Sequence, residues 1–507
     1  PRGEGRLPPV AAGKGAPENR RRNFSAPLST PGAHRILNRD RRDGRLIRFH
    51  NTYSRLKEEF RPLVEGEVRM YTCGPTVYDY AHIGNFRAYA WEDLLRRYLK
   101  ARGYRVVHVM NITDVDDKTI RGARAAGVSL DQFTEKYIQA FFEDLDTLGI
   151  ERAEHYPRAT RHIPEMVDLV RRLMERGHAY ESKGSIYFRL DSFPDYGKLA
   201  NLDREGMIAN FRVDSDEYEK SDVRDFVLWK ARKEDEPYWD TSLGEGRPGW
   251  HVECSAMSMK YLGESFDIHT GGTDNIFPHH ENEIAQSEAA TGKRFVRTWM
   301  HCSHLVVNGE KMSKSKGNFF TLRDLIQRGC GARAVRYLLI SQHYRKPLNF
   351  TLEGIAWAAS NLNRLGDCVR RLAGSLPSGR DEALARFTSG VRDRFYDAMD
   401  DDLNSATALG FLFELVREVN TASDRGSLRE ENARELRVLF QEVSTIFGFD
   451  LGATPDLDME VEARIREREA LRKARKFAEA DAIRDDLLSR GILLEDTPSG
   501  VRWKRKT

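Results

Sequence analysis

Strand-length and helix-length apolar patterns alternate through the first part of the chain. Residues 68–72 alternate in and out as a strand does, 87–102 repeat at the helical period, and 106–112 form a second, almost continuous apolar run. Strand, helix, strand in that order predicts a right-handed βαβ unit within a parallel sheet. Residues 115–245 interrupt it with amphipathic helices at 132–148 and 163–175, then a charged stretch bearing a strand at 185–189. A second α/β half follows, with strands at 266–269 and 296–307 and a helix over 278–290 that Gly292 stops. From Ala332 the pattern is helical. A linker at 375–379 introduces bundle helices at 382–420 and 430–446, and a break at Ala453-Thr454-Pro455 precedes helices at 461–475 and 477–490. A hairpin-like tail closes around Pro498-Ser499-Gly500, and no internal repeat is found.

Composition narrows the class. At 507 residues, 40% of them hydrophobic, the chain has material for several cores but no apolar run near the ~20 residues of a membrane span. The net charge of +3 is uneven: residues 1–48 hold twelve Lys and Arg against four Asp and Glu, which leaves the body near −5. A nucleic-acid partner would meet local basic patches, such as Arg464, Arg466, Arg468, Arg472, Lys473, Arg475 and Lys476 with Trp503 beyond them. Residues 1–45 have no apolar period and read as a disordered basic leader, whether upstream extension, transit peptide or tail. Five scattered cysteines (Cys73, Cys254, Cys302, Cys330, Cys368) argue against a disulfide framework and for a reducing, cytoplasmic setting.

Two short words carry candidate chemistry. His82-Ile83-Gly84-Asn85 follows a strand and opens a helix, where backbone N–H groups and the helix dipole favour an anion. Lys311-Met312-Ser313-Lys314-Ser315, some 230 residues later, places two cations in a glycine-flanked loop suited to charge that grows in a transition state. His279 and Glu283, four apart on a helix, share a face one turn apart, and with Cys73 and Cys254 would make a tetrahedral Zn2+ site. On spacing alone, ordinary buried thiols and a solvated helix face remain the commoner reading.

Longer words carry a family resemblance. Thr72-Cys73-Gly74-Pro75-Thr76-Val77-Tyr78-Asp79 before His82, then Asn111 to Lys118, Gly249 to Met257, Phe266 to His269 and Phe277 to Glu283 closely resemble the signatures of the cysteinyl-tRNA synthetases. Ala398 to Asn404 and Gly491 to Thr497 extend the resemblance over about residues 46–507. Asn85 departs from the general class I word, which ends in a second histidine.

The resemblance implies an α/β fold: a class I, Rossmann-type catalytic domain with an inserted connective domain, followed by a helical anticodon-binding region. The expected division is a leader at 1–45, catalytic halves at 46–114 and 246–331, and a connective or acceptor-stem insertion at 115–245 without editing. A stem-contact region at 332–379, a bundle at 380–450 and a small anticodon-binding domain at 451–507 complete it, with 380–507 separable from the catalytic body. The resemblance also implies Zn2+ on Cys73, Cys254, His279 and Glu283, with Cys73, Thr113, Trp250 and His269 around the cysteine. ATP, with Mg2+, would meet His82, Gly84, Asn85 and Lys314, and His82, Lys311 and Lys314 would act in catalysis. The partners implied are tRNA(Cys), ATP and L-cysteine, without a membrane, for a monomer. A ligase joining cysteine to an amino-sugar would share this machinery, but residues 380–507 argue against it.

Overall fold

The computed structural model describes residues 46–202, 225–451, 456–474, 476–489, 492–497 and 500–505. The basic leader, Arg475 and the turn at 498–499 lie outside them, as do the side chains of Lys314, Lys473 and Trp503.

The central sheet has four parallel strands in the spatial order Val296–Cys302, Phe266–Gly272, Glu67–Thr72, Arg105–Met110. The chain goes from the first strand outward to the second, then returns to the other side for the third and fourth. The order therefore reverses between Glu67–Thr72 and Phe266–Gly272, and the crevice beyond their carboxyl ends is where such sheets take ligands. Helix Ile83–Ala101 makes the first crossover and buries Phe86, Trp91, Leu94, Leu95, Tyr98 and Leu99.

The insertion forms helices Asp117–Ala126, Leu130–Thr147 and Ile163–Glu175 and a four-stranded antiparallel sheet. That sheet runs in chain order through Ala179–Ser182, Ser185–Phe188, Phe226–Ala231 and Gly246–Pro248. Its Ile186, Phe188, Leu228 and Trp229 share one apolar core with Val252 and Met257 of helix Trp250–Leu262 and Ala285 and Ala289 of helix Glu281–Thr291. These two helices are thus clamped between the insertion and the catalytic sheet. A third sheet sets Leu305–Val307 between Glu310–Lys311 and Leu348–Phe350.

Three expected elements differ. The apolar run 296–307 is two strands: at Ser303 the backbone N–H turns to Tyr344 O (2.8 Å), and the chain leaves the central sheet for the third. The helix expected over 278–290 is Glu281–Thr291, preceded by a wide turn at Ile276–His280 in which Phe277 is extended; Gly292 ends it left-handed at φ 70°. The first bundle helix splits into Glu382–Asp400 and Ser405–Asp424. At the break Asp402 and Leu403 have φ of 65° and 52°, and Asp402 is held by the backbone N–H of His50 (2.9 Å), Tyr344 OH (2.6 Å) and Arg345 Nε (2.7 Å). No glycine or proline marks this break in the sequence, because tertiary contacts impose it.

The helical end is two structures. Helices Glu382–Asp400, Ser405–Asp424 and Glu430–Phe447 share one apolar core with helix Ile83–Ala101, and Tyr98 OH donates to Asp400 (2.6 Å). The bundle is therefore packed into the catalytic body, contrary to the expectation of a separable end. Helices Asp456–Lys473 and Phe477–Ser489 and the hairpin Ile492–Thr497/Gly500–Arg505 instead have their own core of Ile465, Ile483, Leu487, Ile492 and Leu494. No described helix is long and apolar enough to cross a membrane.

Candidate active site

Cys73 follows the first strand at the point where the strand order reverses. Gly74 is required beside it, since a Cβ there would stand 1.8 Å from Asn111 O. Its N–H donates to Asn111 Oδ1 (2.8 Å), Asn111 Nδ2 donates to Thr113 Oγ1 (3.1 Å), and the Thr113 hydroxyl donates to Glu253 Oε2 (3.1 Å). This relay ties the Cys73 turn to the end of the second strand and to the residue before Cys254. Thr113 is buried within it, and Asn111 and Glu253 are positioning residues that spacing alone did not single out.

The ligand atoms of Cys73, Cys254, His279 and Glu283 all lie within 4.8 Å of one another, and that group could hold a metal ion. A second group, Cys73, His269, His280 and Glu283, overlaps it. Glu283 joins the two: Oε1 is 3.0 Å from His279 Nε2 and Oε2 is 3.0 Å from His269 Nε2. His269 is fully buried behind the carboxylate and stacks on Trp299 (4.6 Å, 19°). His280 lies 3.2 Å from Cys73 Sγ and 2.8 Å from His301 Nε2. Trp250 is no core aromatic: 39% exposed, it stacks on the His279 ring at 4.1 Å.

Charge in this cluster is uneven. Burial pushes the Cys254 thiol up, but its bond to Cys73 and the charge of His279 hold it down at about 6. Burial and Cys254 together hold Cys73 well above the ordinary thiol range. Burial also opposes ionisation of Glu283 and His279, yet His269 and His279 hold Glu283 at about 2, and Cys254 and Glu283 raise His279 to about 10. The thiol of Cys254 and the carboxylate of Glu283 thus favour a proton on His279, a charge that a divalent cation would supply in its place. Burial keeps His280 and His301 neutral.

The two basic and glycine-bearing words meet. His82 is the N-cap of helix Ile83–Ala101: its Nδ1 accepts the Asn85 N–H (3.1 Å), and Asn85 Oδ1 accepts the His82 N–H (3.1 Å). Asn85 therefore closes a capping box. A Cβ on Gly84 would stand 2.9 Å from the His82 ring and 3.2 Å from Met312 Cε, so the loop containing Lys311 folds directly over the helix start. Ile83 N–H donates to Phe320 O (3.0 Å), and Phe319 meets the His82 ring edge-on at 5.3 Å. Within the loop Asn318 accepts the Ser313 N–H (2.8 Å) and donates to Lys311 O (3.3 Å), while Lys311 is exposed. Lys314 starts a short 3-10 turn.

Residues 59–360 match the family model of the class I (C) tRNA synthetase catalytic domain, 394–452 that of the DALR domain, and 454–503 that of the cysteinyl-tRNA ligase anticodon binding domain. A cysteine–tRNA ligase of Solibacter usitatus is 52% identical over 464 residues, covering 91% of this chain and 100% of that one. The chain belongs to the cysteine–tRNA ligase family. Within that family, the Brachyspira hyodysenteriae ligase is 50% identical over 473 residues, covering 91% of this chain and 99% of its own. The fold recurs in solved class I synthetases. One is Mycobacterium tuberculosis methionyl-tRNA synthetase in complex with methionyl-adenylate (TM-score 0.56, 18% identity, 75% of this chain and 89% of that one). Another is the Agrobacterium radiobacter leucyl enzyme in a ternary complex with tRNA (TM-score 0.56, 13% identity, 78% and 87%).

The C-terminal helices are less openly basic than their composition. Arg468 is fully buried, and Arg464 pairs with Glu467 (2.8 Å) and Asp486 (3.6 Å). Arg466 and Arg472 are exposed.

Proposed function

We propose that this chain activates L-cysteine with ATP as cysteinyl-adenylate and transfers the cysteinyl group to the 3′-terminal hydroxyl of tRNA(Cys). One Zn2+ per chain would be held by Cys73, Cys254, His279 and Glu283, and Mg2+ would accompany ATP. The observation that carries this reading is the convergence of those four donors within 4.8 Å at the crevice that also holds the His82 helix start. Two thiols, an imidazole and a carboxylate suit Zn2+ and not a hard, oxygen-seeking cation. Bound there, Zn2+ would take a thiolate far better than a neutral hydroxyl, separating cysteine from serine without an editing site.

The chain's own residues do the rest. With Nδ1 accepting the Asn85 N–H, a neutral His82 ring carries its proton on Nε2, where it can donate to a phosphate oxygen. Gly84 and the adjoining backbone amides let phosphate approach, and Lys311 and Lys314 neutralise charge as the cysteine carboxylate attacks the α-phosphorus and pyrophosphate leaves. A tRNA hydroxyl then attacks the adenylate carbonyl and AMP departs. Positioning and charge stabilisation suffice, with no covalent enzyme intermediate. Trp250, Thr113 and His269 shape the amino-acid pocket, His269 by orienting Glu283. The insertion 115–245 serves as the connective domain, 332–379 contacts the stem, and 380–450 with 451–507 forms the anticodon side of a cytoplasmic monomer.

Metal analysis of the purified protein should return about one zinc per chain, and Cys254→Ser should lose most of it. Cysteine should drive ATP–pyrophosphate exchange and serine should not. Active protein without zinc would overturn the metal assignment, and exchange driven equally by serine would overturn its role in selection.

A further inference from the structure

Between Cys73 and His82 the chain makes a turn whose aromatic side chains belong to neither the donor group nor the helix cap. It runs beside 111–114, with Val77 N–H donating to Thr113 O (3.2 Å) and Thr76 bridged to Thr113. Tyr78 faces outward from it, 40% exposed, and Lys118 Nζ lies 5.1 Å from the centre of its ring. Two residues on, Tyr80 meets Tyr137 edge-on (5.3 Å, 78°), and Lys136 Nζ lies 5.6 Å from the Tyr80 ring and 5.1 Å from the Tyr137 ring. Lys118 and Lys136 are exposed, and neither pairs with a carboxylate among the described residues. The third cation at Tyr80, Arg323 at 5.3 Å, is already committed to Glu143 (2.7 Å) and Asp144 (3.1 Å). The acid nearest in sequence to Lys118, Asp117, is likewise committed to Lys230 and Arg247.

The patch therefore offers aromatic faces with two positive charges not paired to a carboxylate among the described residues, on the turn that joins Cys73 to the helix start at His82. A paired nucleic-acid stem exposes no base faces to such rings, and an acidic peptide would use the lysines but leave the rings idle. Unpaired nucleotides use both, because a base stacks on an aromatic face while its phosphate meets the cation. We infer that Tyr78 and Lys118, with Tyr80, Lys136 and Tyr137 beside them, form the docking surface for the single-stranded 3′ end of the tRNA. A base stacks on Tyr78, and Lys118 meets the neighbouring phosphate. This rests on the proposed function, which requires that end to reach the crevice between His82 and Cys73.

The test compares Tyr78→Ala, Tyr78→Phe and Lys118→Ala with the unaltered protein, on tRNA(Cys) with its 3′ end intact and on the same tRNA lacking its single-stranded 3′ nucleotides. Tyr78→Ala should weaken binding of intact tRNA about tenfold and raise its KM in aminoacylation. Binding of the trimmed tRNA and cysteine-dependent ATP–pyrophosphate exchange should stay unchanged. Tyr78→Phe, which keeps the face, should behave as the unaltered protein, and Lys118→Ala should lower the salt dependence by about one phosphate contact. Equal losses on intact and trimmed tRNA, no loss on either, or loss of exchange in Tyr78→Ala would each overturn the docking surface. Absence of exchange in the unaltered protein would instead sink the proposed function.

Discussion

Gly84→Ala separates the catalytic geometry of the helix start from its stability, because the two should move differently. The added Cβ would stand 2.9 Å from Cε1 and Nδ1 of His82 and 3.2 Å from Met312 Cε. Carbon contacts are comfortable at about 3.5–4.0 Å, so the imidazole must retreat by roughly 0.6–1 Å. Met312 can yield at its flexible end, but His82 cannot move without stretching its bond to the Asn85 N–H. Losing that cap costs about 1 kcal/mol. Replacing glycine by alanine in a helix returns up to about 1 kcal/mol, so stability should hardly change. The rate should not be spared. A displacement near 1 Å of a group aimed at the transition state can cost about a hundredfold, or about 2.7 kcal/mol of barrier. Pre-steady-state adenylate formation should therefore slow by about two orders of magnitude, with little change in cysteine affinity and an unaltered thermal melt. Met312→Ala on top should recover little, since it relieves only the lesser contact. A normal adenylation rate in Gly84→Ala would refute the assignment of His82 to phosphate, and a melt lowered by many degrees would show that the cap, not the chemistry, had been broken.

Asp117 gives a pH test. Burial tends to raise its carboxyl, but Lys230 and Arg247 hold it at about 2, below the ordinary 3.8. A lowered folded value means the contribution is complete above about 3.8 and fades as the pH falls towards 2. With the Asp117 side chain 51% exposed, Asp117→Asn should cost no more than about 1 kcal/mol at pH 7, and the gap in denaturation midpoints should shrink below pH 4. A gap that is constant from pH 7 to pH 3 would point to packing and not charge. For truncation, removing 452–507 should leave a folded body that retains exchange but binds tRNA more weakly, with a flatter salt dependence. Removing 380–507 should expose the core around Tyr98 and give insoluble or non-cooperatively melting protein; a soluble, cooperatively melting product would overturn the shared-core reading.

What the sequence discloses follows the range of the forces involved. Local rules suffice for the helix after His82 and the Gly292 stop, since each depends on residues within about one turn; His279 meets Glu283 as its spacing suggests, but from the wide turn before the helix. The break at Asp401–Asn404 leaves no local mark because the residues that hold Asp402, namely His50, Tyr344 and Arg345, are distant in sequence. The split after Cys302 was hidden for the same reason, with Tyr344 capturing the Ser303 N–H. In the site, residue identities were legible as words, but the partners that orient them were not. The family resemblance places His269 near the cysteine, but nothing in the sequence says that it faces Glu283, or that Glu253 accepts the Thr113 hydroxyl.

The distance between the two signature words becomes informative once the third sheet is considered. Leu305–Val307 pairs with both Glu310–Lys311 and Leu348–Phe350, so the strand leaving the central sheet is what carries the lysine loop back over the first helix. The loop's position is set from one side by that sheet and from the other by Met312 lying against Gly84. A side chain at position 84 would press on the His82 ring and on Met312 at once. Both words are thus parts of one surface, the one proposed to face phosphate, whose halves meet where Met312 lies against Gly84. It also implies that damage to the third sheet, which supplies none of the four donors, should slow adenylate formation while leaving the Cys73, Cys254, His279 and Glu283 cluster intact.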